Sequence, residues 1–209
     1  MSSETSSPRG LVARLLDWAE ETVYRLNERD HWIFRLYDQG NEAWAALTLR
    51  AVRRRAAAID QQVAAGEGAF ATLRFLQPED EEVFAELLGN FGSKYLPPHP
   101  LDRREARRAL RRRSYMPFGI FLDGRMVGYV LLRLFFFRRV VTGIWTRPET
   151  HNVGLAQACL SVTVAFARRE GIPNYCTIPV DNVNSVRVAL GVGWRILRTN
   201  SRFHVLLVD

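Results

Sequence analysis

The most informative segment of the chain lies between residues 146 and 156 and reads Thr146-Arg147-Pro148-Glu149-Thr150-His151-Asn152-Val153-Gly154-Leu155-Ala156. It follows a predicted strand over 140–146 and leads directly into a predicted helix over 155–170. Backbone N–H groups in such a loop, aided by the positive end of the helix dipole, can bind a diphosphate. Gly154 would let the backbone approach a phosphate closely, and the small Ala156 would leave space at the helix start. The segment predicts a phosphate-binding loop, although many helices begin after a glycine and bind nothing.

The patterns on either side of this loop predict a domain of mixed α/β type. The predicted strands cover 71–76, 118–122, 126–134, 140–146, 175–178, 195–197 and 203–208. The predicted helices begin at Pro78, at Asp102, at Leu155 and at Asn184, and Gly171 is the expected C-cap of the third. The two-residue turn Asp123-Gly124 favours positive φ and predicts a hairpin between the second and third strands.

The first part of the chain has a different texture. Apolar spacing predicts helices from Arg9 to about Ala65, with a break at Gly40 and Asn41. Three tryptophans in this region argue against a free, solvated tail. We therefore expect a helical extension over 1–66, which either packs on the main domain or mediates dimerisation, and a second domain over 67–209.

The net charge of +7 is unevenly distributed. Residues 1–66 hold nine arginines and nine acids, whereas residues 67–209 hold 20 bases and 13 acids. Lys94 is the only lysine, and this preference for arginine could reflect codon composition as easily as function. A basic surface favours anionic partners without specifying one.

The cysteine content and the apolar runs indicate a cytoplasmic protein. Cys159 and Cys176 are the only cysteines, and they lack a second ligand at metal-binding spacing, so we predict neither a disulfide scaffold nor a metal site. The N-terminus lacks the pattern of a signal peptide. The most apolar run, 127–137, is interrupted by Arg133 and is too short for a membrane-spanning helix.

The loop resembles the Q/R-x-x-G-x-G/A coenzyme A-binding motif of the GNAT acetyltransferase superfamily, with His151, Gly154 and Ala156 at its three defined positions. Other segments resemble the same family. The segment 73–80 is similar to its first strand and the turn into its first helix, and 120–129 is similar to its next hairpin. The segment 181–194 is similar to its Asn-rich helix that ends in Gly-Phe. The resemblance covers about residues 70–209.

This resemblance implies a mixed, V-shaped sheet in which the strands 140–146 and 175–178 splay apart around the pantetheine of acetyl-CoA. The implied function is transfer of an acetyl group from acetyl-CoA, the co-substrate, to the amine of a small acceptor. The run Leu134 to Phe137 could be an ordinary strand buried on both faces. It is also similar to aromatic-rich hairpins of family members from surface-polysaccharide pathways, which suggests an amino sugar as acceptor. If exposed, the same run would suit a homodimer. The implied cofactor-binding residues are Ile144, Trp145, Thr146, His151, Asn152, Val153, Gly154, Leu155, Ala156, Asn182 and Asn184.

Three departures from the family pattern concern catalysis. His151 replaces the usual Gln or Arg, and a protonated imidazole would still serve a phosphate. Ala189 stands where many family members carry a tyrosine acid. The strand 140–146 holds no carboxylate that could act as the base. The catalytic residues are therefore left unassigned, and an alternative function is a catalytically degenerate acyl-CoA-binding or interaction protein on a GNAT scaffold.

A few further residues are candidates for the acceptor site. Tyr95 and His99 occupy a proline-rich loop that often lines this site in the family, and Tyr175 lies on the strand beside the expected pantetheine gap. The segment 103–113 has seven arginines in eleven residues, which could grip an anionic acceptor or form a solvated helix face. Because no aromatic residues interleave with them, nucleic acid is not the expected partner; a ribosome-associated protein acetyltransferase remains a third alternative.

Overall fold

The computed structural model describes residues 31–66, 68–89, 103–136 and 139–209. Within them the helices are α1 (His31–Thr48), α2 (Arg50–Ala57), α3 (Glu81–Gly89), α4 (Arg103–Arg111), α5 (Leu155–Arg169) and α6 (Val183–Val192). The strands are β1 (Asp60–Ala64), β2 (Phe70–Phe75), β3 (Tyr115–Leu122), β4 (Arg125–Phe135), β5 (Arg139–Thr146), β6 (Asn174–Pro179), β7 (Arg195–Thr199) and β8 (Phe203–Val208). No helix in this described part is long and apolar enough to cross a bilayer.

The chain divides into two compact units, Met1–Ala43 and Trp44–Asp209. The second unit holds one sheet with the strand order β1-β2-β3-β4-β5-β6-β8-β7. Neighbouring strands are antiparallel except for β5 and β6, which run parallel. A parallel pair needs a long crossover, and α5 supplies it. The predicted mixed α/β fold is confirmed.

Helices cover both faces of the sheet because alternate residues of the central strands are buried on opposite sides. In β4, Val130 and Leu132 belong to the main core, which also contains residues of α2, α5 and α6. Tyr129 lies in a second core beneath α3 and α4, and Leu131 packs against it. The central strands therefore show continuous burial along their sequence instead of the alternation typical of a one-sided sheet.

The helical interpretation of the first 65 residues is wrong in two places. Helix α1 continues through Gly40 and Asn41, and the break falls instead at Leu49. A glycine inside a helix costs only about 1 kcal/mol, which the rest of an 18-residue helix can offset. The segment Asp60–Ala64 is not helical, because it pairs with β2 as the edge strand of the sheet. The helix predicted over 9–30 lies outside the described residues.

The hairpin prediction is confirmed, and the capping prediction is wrong by one residue. Asp123 and Gly124 both adopt positive φ, at 49° and 76°, which is the geometry of a two-residue turn whose twist matches the strands. The C-cap of α5 is Glu170, and Gly171 follows it with φ of 64°, the left-handed conformation that glycine favours just after a helix. The remaining strand predictions agree with the observed strands to within a few residues.

A bidentate ion pair fixes the turn between β2 and α3. The guanidinium of Arg74 donates to both carboxylate oxygens of Asp80, each at 2.8 Å, and lies 4.0 Å from the ring centroid of Phe121. The backbone N–H of Gln77 donates to the same carboxylate at 2.8 Å. Burial alone would raise the pKa of Asp80, but these hydrogen bonds outweigh it and hold the pKa below its ordinary value.

This pair predicts a pH-dependent stability. Because the pKa of Asp80 is lower in the folded than in the unfolded chain, its contribution is fully present above the unfolded value near 3.8 and is lost as the pH falls through the folded value. We expect Asp80→Asn to lower the free energy of unfolding by about 1–3 kcal/mol at pH 7 and to lose most of this difference at an acid pH below the folded pKa of Asp80. Urea unfolding at both pH values checks this, and an equal difference at both would contradict it.

Candidate active site

The loop between β5 and α5 is held in one conformation by local hydrogen bonds. The backbone N–H of Arg147 donates to the carbonyl of Val127 at 2.7 Å, which ties the loop to β4. A 3-10 turn over Pro148–Thr150 follows, and the Thr150 hydroxyl donates back to the carbonyl of Arg147 at 2.8 Å. These hydrogen bonds fix the first half of the loop, residues 147–150, just before the residues that lead into α5.

The loop ends in two left-handed residues. Asn152 has φ of 65°, and Gly154, the N-cap of α5, has φ of 75°. No side chain caps this helix, so the first N–H groups of α5 are left for solvent or a ligand. A Cβ placed on Gly154 would have no atom within 4 Å, so the space in front of the helix is open. This is the geometry that an anion-binding helix start requires.

A gap opens between β5 and β6 next to this loop. The two strands pair at only two positions, Val140 with Asn174 and Val141 with Tyr175. Beyond them β5 remains paired with β4, and β6 remains paired with β8. We call the space between 142–146 of β5 and 176–179 of β6 the wedge, and its narrow end beside Thr142 the apex. The backbone edge of β5 at Ile144, Trp145 and Thr146 is not paired with β6 and lies along this space.

The predicted site residues His151, Asn182 and Asn184 lie around the wedge with different local roles. The His151 ring donates from Nε2 to the carbonyl of Thr146 at 3.1 Å, since a carbonyl oxygen only accepts, and so links the loop to the end of β5. Asn182 caps α6, its side-chain oxygen accepting from the Ser185 N–H at 3.2 Å. Asn184 is exposed in the first turn of α6.

Three polar groups meet at the apex that the sequence did not single out. The Thr142 hydroxyl donates to the side-chain oxygen of Asn174 at 2.6 Å. The Trp194 indole N–H donates to the backbone carbonyl of Asn174 at 3.0 Å. These residues are 32 and 20 positions from Asn174, and no local pattern could have predicted their contact.

An aromatic group lies on the face of the sheet that α3 and α4 cover. The ring of Tyr129 stacks on Trp145 at 6.2 Å and meets Phe84 edge-on at 5.3 Å. Burial raises the pKa of Tyr129 far above its ordinary value, so its phenol stays protonated and is unsuited to act as a base. Tyr175 is half-buried, and the Arg139 guanidinium lies 5.9 Å from its ring centroid.

Several other candidates are excluded from nucleophilic or acid roles by their surroundings. Burial raises the pKa of both Cys159 and Cys176 to about 12, so neither thiol is reactive near neutral pH. Ala189 is buried in α6 and supplies no hydroxyl there.

In α4, Arg103 and Arg107 both bind the Glu81 carboxylate. Tyr95 and His99 lie outside the described residues.

The splayed mixed sheet, with an uncapped helix start beside the wedge, defines the N-acyltransferase class of α/β fold. A family model, "Acetyltransferase (GNAT) domain", matches residues 71–195. The chain belongs to this GNAT acetyltransferase family. A comparison with curated proteins gave no match.

Solved structures agree with this fold. The GNAT domain of S. lividans PAT is 18% identical, with a TM-score of 0.63 over 72% of this chain and 96% of that one. RimJ of Mycobacterium smegmatis in complex with CoA-disulfide is 18% identical, with a TM-score of 0.58 over 71% and 86%. Salmonella typhimurium yncA, a putative acetyltransferase with its cofactor acetyl-CoA, is 20% identical, with a TM-score of 0.55 over 66% and 93%. At these identities the likeness establishes the fold alone.

Proposed function

We propose that the protein transfers an acetyl group from acetyl-CoA to the amine of a small acceptor. The observation that carries this proposal is the wedge, which ends at the uncapped start of α5. An extended arm with a diphosphate at one end matches this arrangement, because N–H groups for the phosphates and an unpaired strand edge for the amides lie along one path. Acetyl-CoA has this form and supplies an activated thioester.

The residues proposed to hold the cofactor act mainly through their backbones. Val153 to Ala156 would donate N–H groups to the diphosphate, and Gly154 leaves the space that the phosphates need. Ile144 to Thr146 would pair with the pantetheine amides in the manner of a neighbouring strand. Asn152 shapes the loop, His151 fixes it to β5, and Asn182 and Asn184 would contact the arm from the β6 side of the wedge.

The acceptor would approach from the face that carries Trp145. On this face Gly143 of β5 is exposed, and a Cβ there would have no atom within 4 Å, so an amine could reach the strand edge. We propose a small amine, with an amino sugar among the candidates. A protein amine is the second candidate, since a similar structure is named "Ribosomal L7/L12 alpha-N-protein acetyltransferase".

The chemistry needs few groups from the protein. A deprotonated amine attacks the thioester carbonyl, a donor stabilises the developing oxyanion, and the thiolate leaves. Strand β5 carries no carboxylate, so a side chain of that strand cannot serve as the base. We propose that the amine loses its proton to water, which favours reaction at a pH where a share of the amine is already neutral.

Calorimetric titration of the full chain with acetyl-CoA tests the cofactor proposal, and we expect saturable binding at one site. Release of free thiol on adding amines then tests catalysis, with amino sugars and N-terminal peptides as separate panels. Turnover of a peptide that weakens steeply with salt would favour the protein acceptor. Tight binding without turnover of any amine would support the acyl-CoA-binding alternative, and absence of binding would refute both functions.

A further inference from the structure

The apex of the wedge contains a buried amide with an unsatisfied end. Asn174 is 0% exposed, and its side-chain nitrogen Nδ2 has no hydrogen-bond partner. The amide oxygen of the same side chain already accepts from the Thr142 hydroxyl at 2.6 Å. A buried polar atom without a partner costs stability, so such an atom calls for a functional or structural reason.

The unsatisfied amide lies where the reacting end of the cofactor would stop. An arm that starts at the phosphate loop and follows β5 from Thr146 to Thr142 covers about 13 Å before the strands close. Val141 and Tyr175 form the last pair between β5 and β6, so the cofactor arm cannot extend past this pair. The sulfur of the thioester would therefore lie near the hydroxyl of Thr142, a buried residue that is 8% exposed.

Few other side chains near the apex could assist the leaving group. Tyr175 carries a hydroxyl, but it follows Asn174 on β6 and therefore lies on the opposite face of the sheet from Thr142. Ala189, the buried residue of α6, has no polar atom in its side chain. Cys176, the next inward-facing residue of β6 after Asn174, is buried and stays protonated near neutral pH. Among the described residues, the hydroxyl of Thr142 is thus the side-chain donor best placed at the apex.

We propose that Thr142 donates a hydrogen bond to the thioester sulfur as it leaves, and that Asn174 positions this hydroxyl. The inference rests on the proposed function. When the amide of Asn174 turns over, Nδ2 donates to Thr142 Oγ1, and the hydroxyl hydrogen becomes available to the sulfur. Thr142 is then a catalytic residue, and Asn174 is a positioning residue.

The step is balanced without a further reactant. The amine nitrogen forms a bond to the carbonyl carbon, and the bond between that carbon and sulfur breaks with its electron pair passing to sulfur. The proton lost by the nitrogen goes to water, and the thiolate, held by the Thr142 hydroxyl, later takes a proton from water. The products are the N-acetyl amine and free coenzyme A.

The test measures the thiol of bound coenzyme A and does not depend on turnover. A hydrogen-bond donor at the sulfur stabilises the thiolate, so the thiol should titrate at a lower pH in the wild-type complex than in the Thr142→Val complex. We expect a difference of about one to two pH units. The ultraviolet absorbance of the thiolate reports this titration, and the spectrum of the ligand-free protein at each pH is subtracted. Cys159 and Cys176 remain protonated over the range used.

Matched variants separate the hydroxyl from its packing. In Thr142→Ser, which keeps the donor, the thiol of bound coenzyme A should titrate as in the wild type. In Thr142→Ala, a second variant without the donor, it should titrate as in Thr142→Val. Asn174→Ala should give a smaller shift in the same direction. In amine turnover we expect kcat to fall roughly tenfold to 100-fold in Thr142→Val, with the affinity for acetyl-CoA unchanged.

Two failures can be told apart. If coenzyme A binds to both proteins and its thiol titrates at the same pH in each, the inference is overturned while the proposed function stands. If the wild-type protein binds no coenzyme A in calorimetry, the proposed function fails and this inference fails with it. A loss of thermal stability in Thr142→Val with unchanged titration would mean that the contact is only structural.

Discussion

Gly154→Glu is expected to weaken acetyl-CoA binding by at least about 100-fold. The open space beside Gly154 would accept the side chain, so its carboxylate would stand where the diphosphate is proposed to bind. Two like charges brought together in one binding site cost several kcal/mol, and each 1.4 kcal/mol changes the dissociation constant tenfold. Titration calorimetry with acetyl-CoA at moderate salt measures the effect directly.

A matched control is available in the hairpin turn. Gly124 has φ of 76°, almost the same as the 75° of Gly154, and a Cβ there also meets no atom within 4 Å. Gly124→Glu therefore carries the same charge and a similar backbone strain in the turn between β3 and β4, outside the residues proposed to hold the diphosphate. It should lose a similar amount of stability and bind acetyl-CoA like the wild type. Equal affinity in the two variants would place the diphosphate elsewhere.

Gly128→Ala is expected to lower the free energy of unfolding by about 2–3 kcal/mol. A Cβ at Gly128 would lie 2.5 Å from the carbonyl oxygen of Trp145 and 3.0 Å from the Cα of Thr146, both of which are backbone atoms. Because backbone cannot rotate aside as a side chain can, β4 and β5 would have to separate at this point. For a chain of this length, that loss corresponds to a fall in Tm of about 4–12 °C.

The same strand pair provides the control for this substitution. Gly143 lies on β5 opposite Leu131, and a Cβ there has no atom within 4 Å. Gly143→Ala should therefore leave Tm unchanged or raise it by up to about 4 °C, since it adds no clash and restricts only the unfolded chain. Thermal unfolding followed by circular dichroism compares the two variants. A similar Tm for both would show that close approach at Gly128 is unimportant.

Much of the fold could be predicted because its signals are local. The loop before α5 is predicted by a strand, a proline and a glycine that precedes a strongly apolar helix. Gly154 adopts the left-handed conformation in the structure. The Asp123-Gly124 turn is equally local, since its residue types set the positive φ values that a tight hairpin needs. These features need no knowledge of distant residues.

The features that the sequence did not reveal depend on tertiary pairing. The first three residues of β1 are polar and exposed, and its only buried residue is a valine. Only its pairing with β2 therefore defines it as a strand. The contact between Thr142 and Asn174 spans a complete crossover through α5. The lining of the wedge follows from where β5 and β6 stop pairing, and that register has no signature in either strand alone.

The two-position junction between β5 and β6 gives the sheet a mechanical character. Each half is a continuous antiparallel ladder, and the halves are joined at Val140 and Val141 like the two arms of a hinge. A small rotation at this joint is amplified along the five residues of β5 that extend past it. Helix α5 contacts β4, β5 and β6, so its packing sets the angle between the two halves of the sheet. Substitutions on its buried side, such as at Val164, would change the width of the opening from a distance.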